Sequence, residues 1–338
     1  MSSTPQVTGI AANDLASLPV LCAALSEKLR PATNGLAYLA HNSRSFRFAT
    51  RFFPGGHDDR VTRVYAWCRF TDDLVDDPAA DPLTAASLLD EWMALSRNSY
   101  AGSPSGVMFL DTVMADMAGA RVPFRYAEEL AEGMRMDLRG EKYETLAELE
   151  RYTYRVASVV GLWISELFDV RDPVVLKKAE SMGHAMQLTN ILRDVGEDLR
   201  AGRCYLPAEL LGRYNLTRSQ LRAERAPAGY SALMEEMMAA AESKYDAGFD
   251  GLLDLPRQLR LPVSVAAHVY RGILNEIRAA GYDNLSRRAT TSGSKKAVLA
   301  AKAMFDLRRR VRQRQAGVAT SSATHGTQAV NHGSRLAG

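Results

Sequence analysis

From residue 21 to residue 315 no stretch alternates β-branched and polar residues around a tight Asn-Gly or Asp-Gly turn. Leu, Ala, Met, Glu and Arg dominate instead, and apolar residues recur at intervals of three and four. That spacing keeps one face of a helix apolar and would scramble the two faces of a strand, so the chain is expected to be all-α. Prolines punctuate the pattern at 54, 78, 82, 123, 173, 207, 227, 256 and 262, where helices are expected to begin or end. Asp172-Pro173 reads as a helix start, with the helix running toward Leu199; Ala228 to Leu255 and Pro262 to Ala280 read as two further long helices. No period of 20–50 residues repeats, which excludes a solenoid. The expected organisation is a flexible N-terminal segment over 1–20, one all-α domain of about a dozen helices over 21–315, and a disordered tail over 316–338. That tail is rich in Gly, Ala, Ser, Thr and His.

Of the 338 residues 46% are hydrophobic and the formal net charge is +3, which suits a packed body and excludes a chain disordered throughout. The longest apolar stretch, Val156 to Ile164, is half of the roughly 18 residues a spanning helix needs. The start, Met1-Ser2-Ser3-Thr4-Pro5, lacks the basic and apolar regions of a secretory signal. Cys22, Cys68 and Cys204 are far apart and odd in number, as in a protein of a reducing compartment. The expected location is therefore cytoplasmic.

Two acidic constellations carry chemistry. Asp72-Asp73-Leu74-Val75-Asp76-Asp77 ends a helical segment, and its four-residue spacing places Asp72 and Asp76 on one face. Like charges so placed repel, and the C-terminal end of a helix disfavours anions, so a cation is called for. On another helix Gln187, Asn190, Asp194 and Asp198 follow one another at three, four and four, with Glu197 alongside. A stripe of amide and carboxylate oxygens packs poorly but suits a hard cation such as magnesium, which takes oxygen ligands and shares its shell with substrate phosphate. Arg69, Arg193, Arg200 and Arg203 interleave with the two stripes, and guanidinium forks match phosphate oxygens. Two such stripes facing each other across a bundle would hold divalent ions around a diphosphate.

The wording around these stripes resembles the squalene/phytoene synthase family. Gln187-Leu-Thr-Asn190-Ile-Leu-Arg193-Asp194-Val-Gly-Glu197-Asp198, followed by Gly202-Arg203-Cys204-Tyr205-Leu206-Pro207, is similar to its second aspartate-rich signature. Tyr65-Ala-Trp-Cys-Arg69-Phe-Thr-Asp72-Asp73-Leu-Val-Asp76 is similar to its first. Ser43-Arg-Ser45-Phe46, Tyr152-Thr-Tyr154-Arg-Val-Ala and Gly281-Tyr-Asp-Asn-Leu-Ser-Arg287-Arg288 extend the resemblance over roughly residues 34 to 310. It implies a single-domain isoprenoid-synthase helical bundle with a central cavity, a prenyltransferase that joins two allylic diphosphates head to head. By position it implies Asp72, Asp76, Asn190, Asp194 and Asp198 as metal ligands for Mg2+, with Mn2+ as a substitute. Arg69, Arg203, Ser43, Ser45, Gln187, Tyr65 and Tyr205 would bind diphosphate, and Tyr152, Tyr270 and Arg193 would act in catalysis. Three residues depart from the family wording: Asp73 and Asp77 add carboxylate beside the metal site, and Ser158 replaces a usual Gly, to the account either of helix packing or of the pocket.

Within that family a carbocation forms as diphosphate leaves, so the pocket must be dry. Tyr152, Tyr154, Tyr270 and Phe46 are candidates for cation–π stabilisation. Thr50 stands one turn after Phe46, where a bulky aromatic would shorten a chain channel; the small residue resembles phytoene-type sequences. The expected substrate is geranylgeranyl diphosphate, converted to phytoene through prephytoene diphosphate without NADPH. The alternative is farnesyl diphosphate, giving presqualene diphosphate, squalene or dehydrosqualene. His184, ringed by Met182, Ala185, Met186 and Leu188, reads as a satisfied core histidine, and Ser292-Gly-Ser-Lys295 as a loop. The Arg308-Arg309-Arg310, Arg312, Arg314 cluster suggests either a solvated helix end or contact with anionic lipid; nucleic-acid motifs are absent, and oligomeric state is left open.

Overall fold

The computed structural model describes residues 48–54, 58–76, 81–222 and 226–333, the last seventeen for their backbone alone. Ser43, Ser45, Phe46, Asp77, Cys22 and the segment 1–20 lie outside the described residues. Eleven α-helices follow one another among the described residues: α1 Asp58–Asp73, α2 Pro82–Tyr100, α3 Met108–Gly119, α4 Arg125–Leu138, α5 Leu146–Thr153, α6 Val159–Leu167, α7 Pro173–Arg200, α8 Ala208–Arg213, α9 Tyr230–Asp250, α10 Arg257–Ala279 and α11 Gly293–Gly333. A π-helical turn, Tyr154–Ser158, joins α5 to α6. Described residues contain no strand. None of their helices is long and apolar enough to cross a membrane.

Local chemistry sets the helix starts. Asp81 accepts hydrogen bonds from the backbone N–H groups of Leu83 and Thr84, both at 3.0 Å, with Pro82 opening α2. Asp172 caps α7 in the same way through Val174, 2.8 Å away, ahead of Pro173. Thr145 caps α5 through Glu148, whose carboxylate reaches back to the Glu144 N–H at 2.7 Å. Pro262 departs from the expectation. It lies inside α10, which already starts at Arg257 behind Pro256. Its missing N–H costs the helix one hydrogen bond there, and its ring is buried. The last helix also departs, since its backbone continues through 316–333, where composition suggests a tail. No proline follows Pro262 to stop it, and alanines recur along the segment.

Three tryptophans lock α1 in place. Trp67 packs on Trp163 of α6 and on Trp92 of α2, with ring centroids 5.3 and 6.1 Å apart, and all three are fully buried. Trp67 Nε1 donates to Ser96 Oγ and Trp92 Nε1 to Thr71 Oγ1. Burial of such rings contributes roughly 2–3 kcal/mol each. With its inner face so anchored, α1 presents Tyr65, Arg69 and Asp72 to the bundle interior, and the turn that follows adds Asp76. On the opposite wall α7 packs along α9 and α10, with Met182 against Gly248 and the Thr189 and Tyr245 hydroxyls hydrogen-bonded.

Candidate active site

The bundle encloses a cavity of about 1320 Å³. That exceeds the usual pocket of about 300–1,000 Å³ and leaves room for two long chains. Both acidic stripes line it: Asp72 from α1 and Asp76 from the turn just past its end, and Gln187, Asn190, Asp194, Glu197 and Asp198 from α7. Tyr65, Arg69, Tyr152, Arg193, Arg203, Tyr205 and Tyr270 line it as well. Every described residue expected to bind metal or diphosphate, together with Tyr152, Tyr270 and Arg193, therefore opens onto one cavity. Beyond the polar mouth its walls turn apolar, with Val160, Ile164, Val175, Met182, Leu255 and Val263.

Asp72, Asp73, Asp76, Asp194 and Glu197 each meet a guanidinium. Arg69 binds Asp72 at 2.7 Å and Asp73 at 2.5 Å. Arg203 crosses from the turn after α7 to Asp76, 2.7 Å away, and so ties the two stripes together. Asp194 is held by Arg193 through two bonds, 2.8 and 2.5 Å, and by Arg288 at 2.8 Å. Arg288 also lies 3.6 Å from Glu197. Charge is nonetheless in excess. Burial and the neighbouring Asp76 push Asp72 up to about 7, although Arg69 opposes them. Burial and Asp194 push Asp198 up to about 7, against Arg203.

No three carboxylate, histidine or thiol side chains converge on one point among the described residues. Magnesium does not require that, because it binds through one or two carboxylates and completes its shell with water and phosphate. The donors fit such an ion: all are hard oxygens, and Asn190 Oδ1 is buried without a hydrogen-bond partner in the middle of the second stripe. The Nε atoms of Arg69 and Arg203 are likewise buried and unpartnered, as donors to an absent anion would be.

Sequence reasoning missed Asp137, on α4. It is the acceptor of a tyrosine cluster: Tyr152 donates to its Oδ2 at 2.8 Å and Tyr205 to its Oδ1 at 2.7 Å. The Tyr152 and Tyr205 rings stack 5.0 Å apart, and Tyr143 packs against both. Burial pushes Asp137 up to about 6, and burial also raises Tyr152 and Tyr205 far above the ordinary phenol range. Arg288 was quoted in a motif without a role; a crossing of chains delivers it. The segment after α10 passes over α7 at Gly196, where any side chain would overlap the Leu285 carbonyl. Gly196 N–H donates to Asn284 O at 3.0 Å, and buried Asn284 also bonds the Leu192 carbonyl and accepts from Tyr230.

Several expectations need correction. Tyr154 does not line the cavity; it starts the π turn and packs against His184. Arg200 faces the Leu285 carbonyl, 3.1 Å away, and is not at the mouth. Ser158 is fully buried with its hydroxyl donating to the Glu180 carbonyl at 2.8 Å, so its replacement of Gly concerns helix packing. Ser292 is no free loop residue, for its hydroxyl accepts from Lys295 N–H at the start of α11. In the arginine cluster Arg310 donates to the Phe249 carbonyl and Arg314 to Asp254, whereas Arg308, Arg309 and Arg312 stay exposed. His184 is buried on Thr153 at 2.7 Å, as a core histidine should be. Cys68 and Cys204 are free thiols.

Residues 39–295 match the model of the squalene/phytoene synthase family. The chain is 36% identical over 268 residues to phytoene synthase 3, chloroplastic, of Zea mays, covering 77% of this chain and 62% of that one. It thus spans less than two thirds of the plant protein. It is 35% identical over 273 residues to 15-cis-phytoene synthase of Pantoea ananas, covering 77% and 87% of the two chains. Among solved structures, a dehydrosqualene synthase bound to a ligand superposes with a TM-score of 0.74 at 28% identity, over 83% of this chain and 99% of the other. Paired aspartate faces on an all-α bundle, the family match and these relatives lead to one conclusion: the chain belongs to the squalene/phytoene synthase family.

Proposed function

We propose that this protein condenses two geranylgeranyl diphosphates head to head, giving phytoene by way of prephytoene diphosphate. The observation that carries the reading is a single cavity with two arginine-bound carboxylate faces at one end and hydrocarbon walls at the other. The family relatives named as phytoene synthases support it. Cavity length favours twenty carbons over fifteen. From Asp194 to Lys178 the cavity follows sixteen residues of the unbroken helix α7, about 24 Å at 1.5 Å per residue. With carbon–carbon bonds of about 1.5 Å, each five-carbon unit advances about 5 Å, so a twenty-carbon chain of about 20 Å fits that span and a fifteen-carbon chain leaves it part empty.

Asp72, Asp76, Asn190, Asp194 and Asp198 would hold magnesium, which when bound neutralises the diphosphate and stabilises it as a leaving group. Arg69, Arg193, Arg203 and Arg288 are placed to take over diphosphate oxygens from the carboxylates they now bind. The departing group leaves an allylic cation, and the double bond of the second substrate attacks it. The Tyr152–Tyr205 stack and Tyr270 offer π faces to positive charge, worth up to about 2 kcal/mol each when dry. Both hydroxyls of the stack donate to Asp137, which fixes the two rings in place. No histidine is among the described residues that line the cavity, and the diphosphate itself is the base at hand for the final proton. The test is product analysis by mass spectrometry after incubation with magnesium and either geranylgeranyl or farnesyl diphosphate, with and without NADPH. Phytoene formed without reductant is expected; consumption of farnesyl diphosphate alone would overturn the substrate assignment.

A further inference from the structure

We propose that Lys178 forms the floor of the cavity and sets the longest prenyl chain the protein accepts; this rests on the head-to-head reading above. Along α7 the cavity wall runs from Ala201 past the aspartates down to Lys178 and Val175, and Lys178 is the one cation at that lower end among the described lining residues. Its side chain is 30% exposed, so the methylene stem faces the cavity while the ammonium reaches the surface. The stem lies flat across Gly251, at the end of α9; a Cβ there would come within 2.7 Å of both the Cβ and the Cδ of the lysine. Its ammonium donates to the Asp250 carbonyl and to Asp254, each 3.4 Å away. Arg314 of α11 clamps the same Asp254 carboxylate at 2.8 Å, fixing the lysine's partner from the other side.

Met182, one turn above the lysine on α7, lines the cavity with Leu255 and Leu259, and Val175 lies one turn below it. A hydrocarbon end can rest on the methylenes, but pushing further would strip the ammonium of its carboxylate and its water, which is strongly unfavourable. The floor therefore resists on steric and electrostatic grounds together. Its depth of about 24 Å below Asp194 lies between four five-carbon units, about 20 Å, and five, about 25 Å with the diphosphate still to be seated.

The two residues at the floor permit tests of opposite sign. Lys178→Ala removes the floor, and kcat/KM for geranylfarnesyl diphosphate relative to geranylgeranyl diphosphate should rise about tenfold, the usual scale for a change in an apolar pocket. Gly251→Ala pushes the lysine stem inward, and the ratio for geranylgeranyl over farnesyl diphosphate should fall about tenfold. Both are measured on the full-length chain with magnesium, alongside thermal melts of each variant. Folded variants whose ratios stay within about twofold of the parent overturn the proposal. Should one variant fail to fold, the other reads the same floor. A parent protein that couples none of the three diphosphates overturns the head-to-head reading; a parent that couples them, with variants that do not shift the ratios, overturns the floor alone.

Discussion

At the mouth of the cavity Asp72, Asp76 and Asp194 are each paired with a specific arginine, and two of those arginines keep a buried Nε with no partner. Such pairs hold a charged site together until ions and diphosphate arrive. Asp194 meets both Arg193 and Arg288, so Asp194→Asn should lower kcat/KM by about 100-fold or more at saturating magnesium while the fold persists, as loss of a preorganised charge does. Turnover unchanged from the parent would remove Asp194 from the metal site. Asp137 acts one step back, by fixing two phenols. Asp137→Asn can no longer accept from both hydroxyls, and kcat should drop about tenfold with KM little changed. A shift confined to KM in steady-state assays would speak against that positioning role. Nothing in the sequence marks Asp137, because a lone carboxylate on an amphipathic helix gives no periodic signal. Its two partners stand 15 and 68 positions away. The aspartate stripes were readable for the opposite reason: four-residue spacing on a helix is geometry written directly in the chain.

Among the elements, α7 and the segment that crosses it decide whether the mouth is assembled. The extent of α7 could be read from Asp172-Pro173 at one end and its apolar period; it runs Pro173–Arg200. The crossing could not, since it depends on Gly196 meeting Leu285 and Asn284 from almost ninety positions later. The π turn Tyr154–Ser158 was equally hidden, because its residues keep an ordinary helical composition. Gly196→Ala should drive the Leu285 carbonyl off α7 and destabilise the protein by about 2 kcal/mol, read by urea denaturation. It should also detach Arg288 from Asp194, so activity should fall at temperatures where the variant remains folded. A variant with parental stability would show that the two backbones do not approach closely there.

For the whole molecule, three carboxyls share one raised titration range: Asp72 and Asp198 at about 7 and Asp137 at about 6. In the unfolded chain such groups titrate near 4. Between those limits the folded state binds more protons, so stability falls as pH rises from about 4 to about 7. Carboxylates held below their usual range, such as Asp111 and Glu235, titrate beneath this window and leave its slope alone. The metal-free protein should therefore melt at a lower temperature at pH 7.5 than at pH 5.5, and magnesium with inorganic pyrophosphate should restore more at the higher pH. Calorimetry with a flat or rising profile would contradict this. One helix, α7, carries the reacting end of the cavity at Asp194 and its far end at Lys178, about 24 Å apart. Sites so distant combine additively. Changes to turnover at one end and to product size at the other should multiply in double variants, so a lineage can retune the carbon number of its product in small independent steps without rebuilding the chemistry.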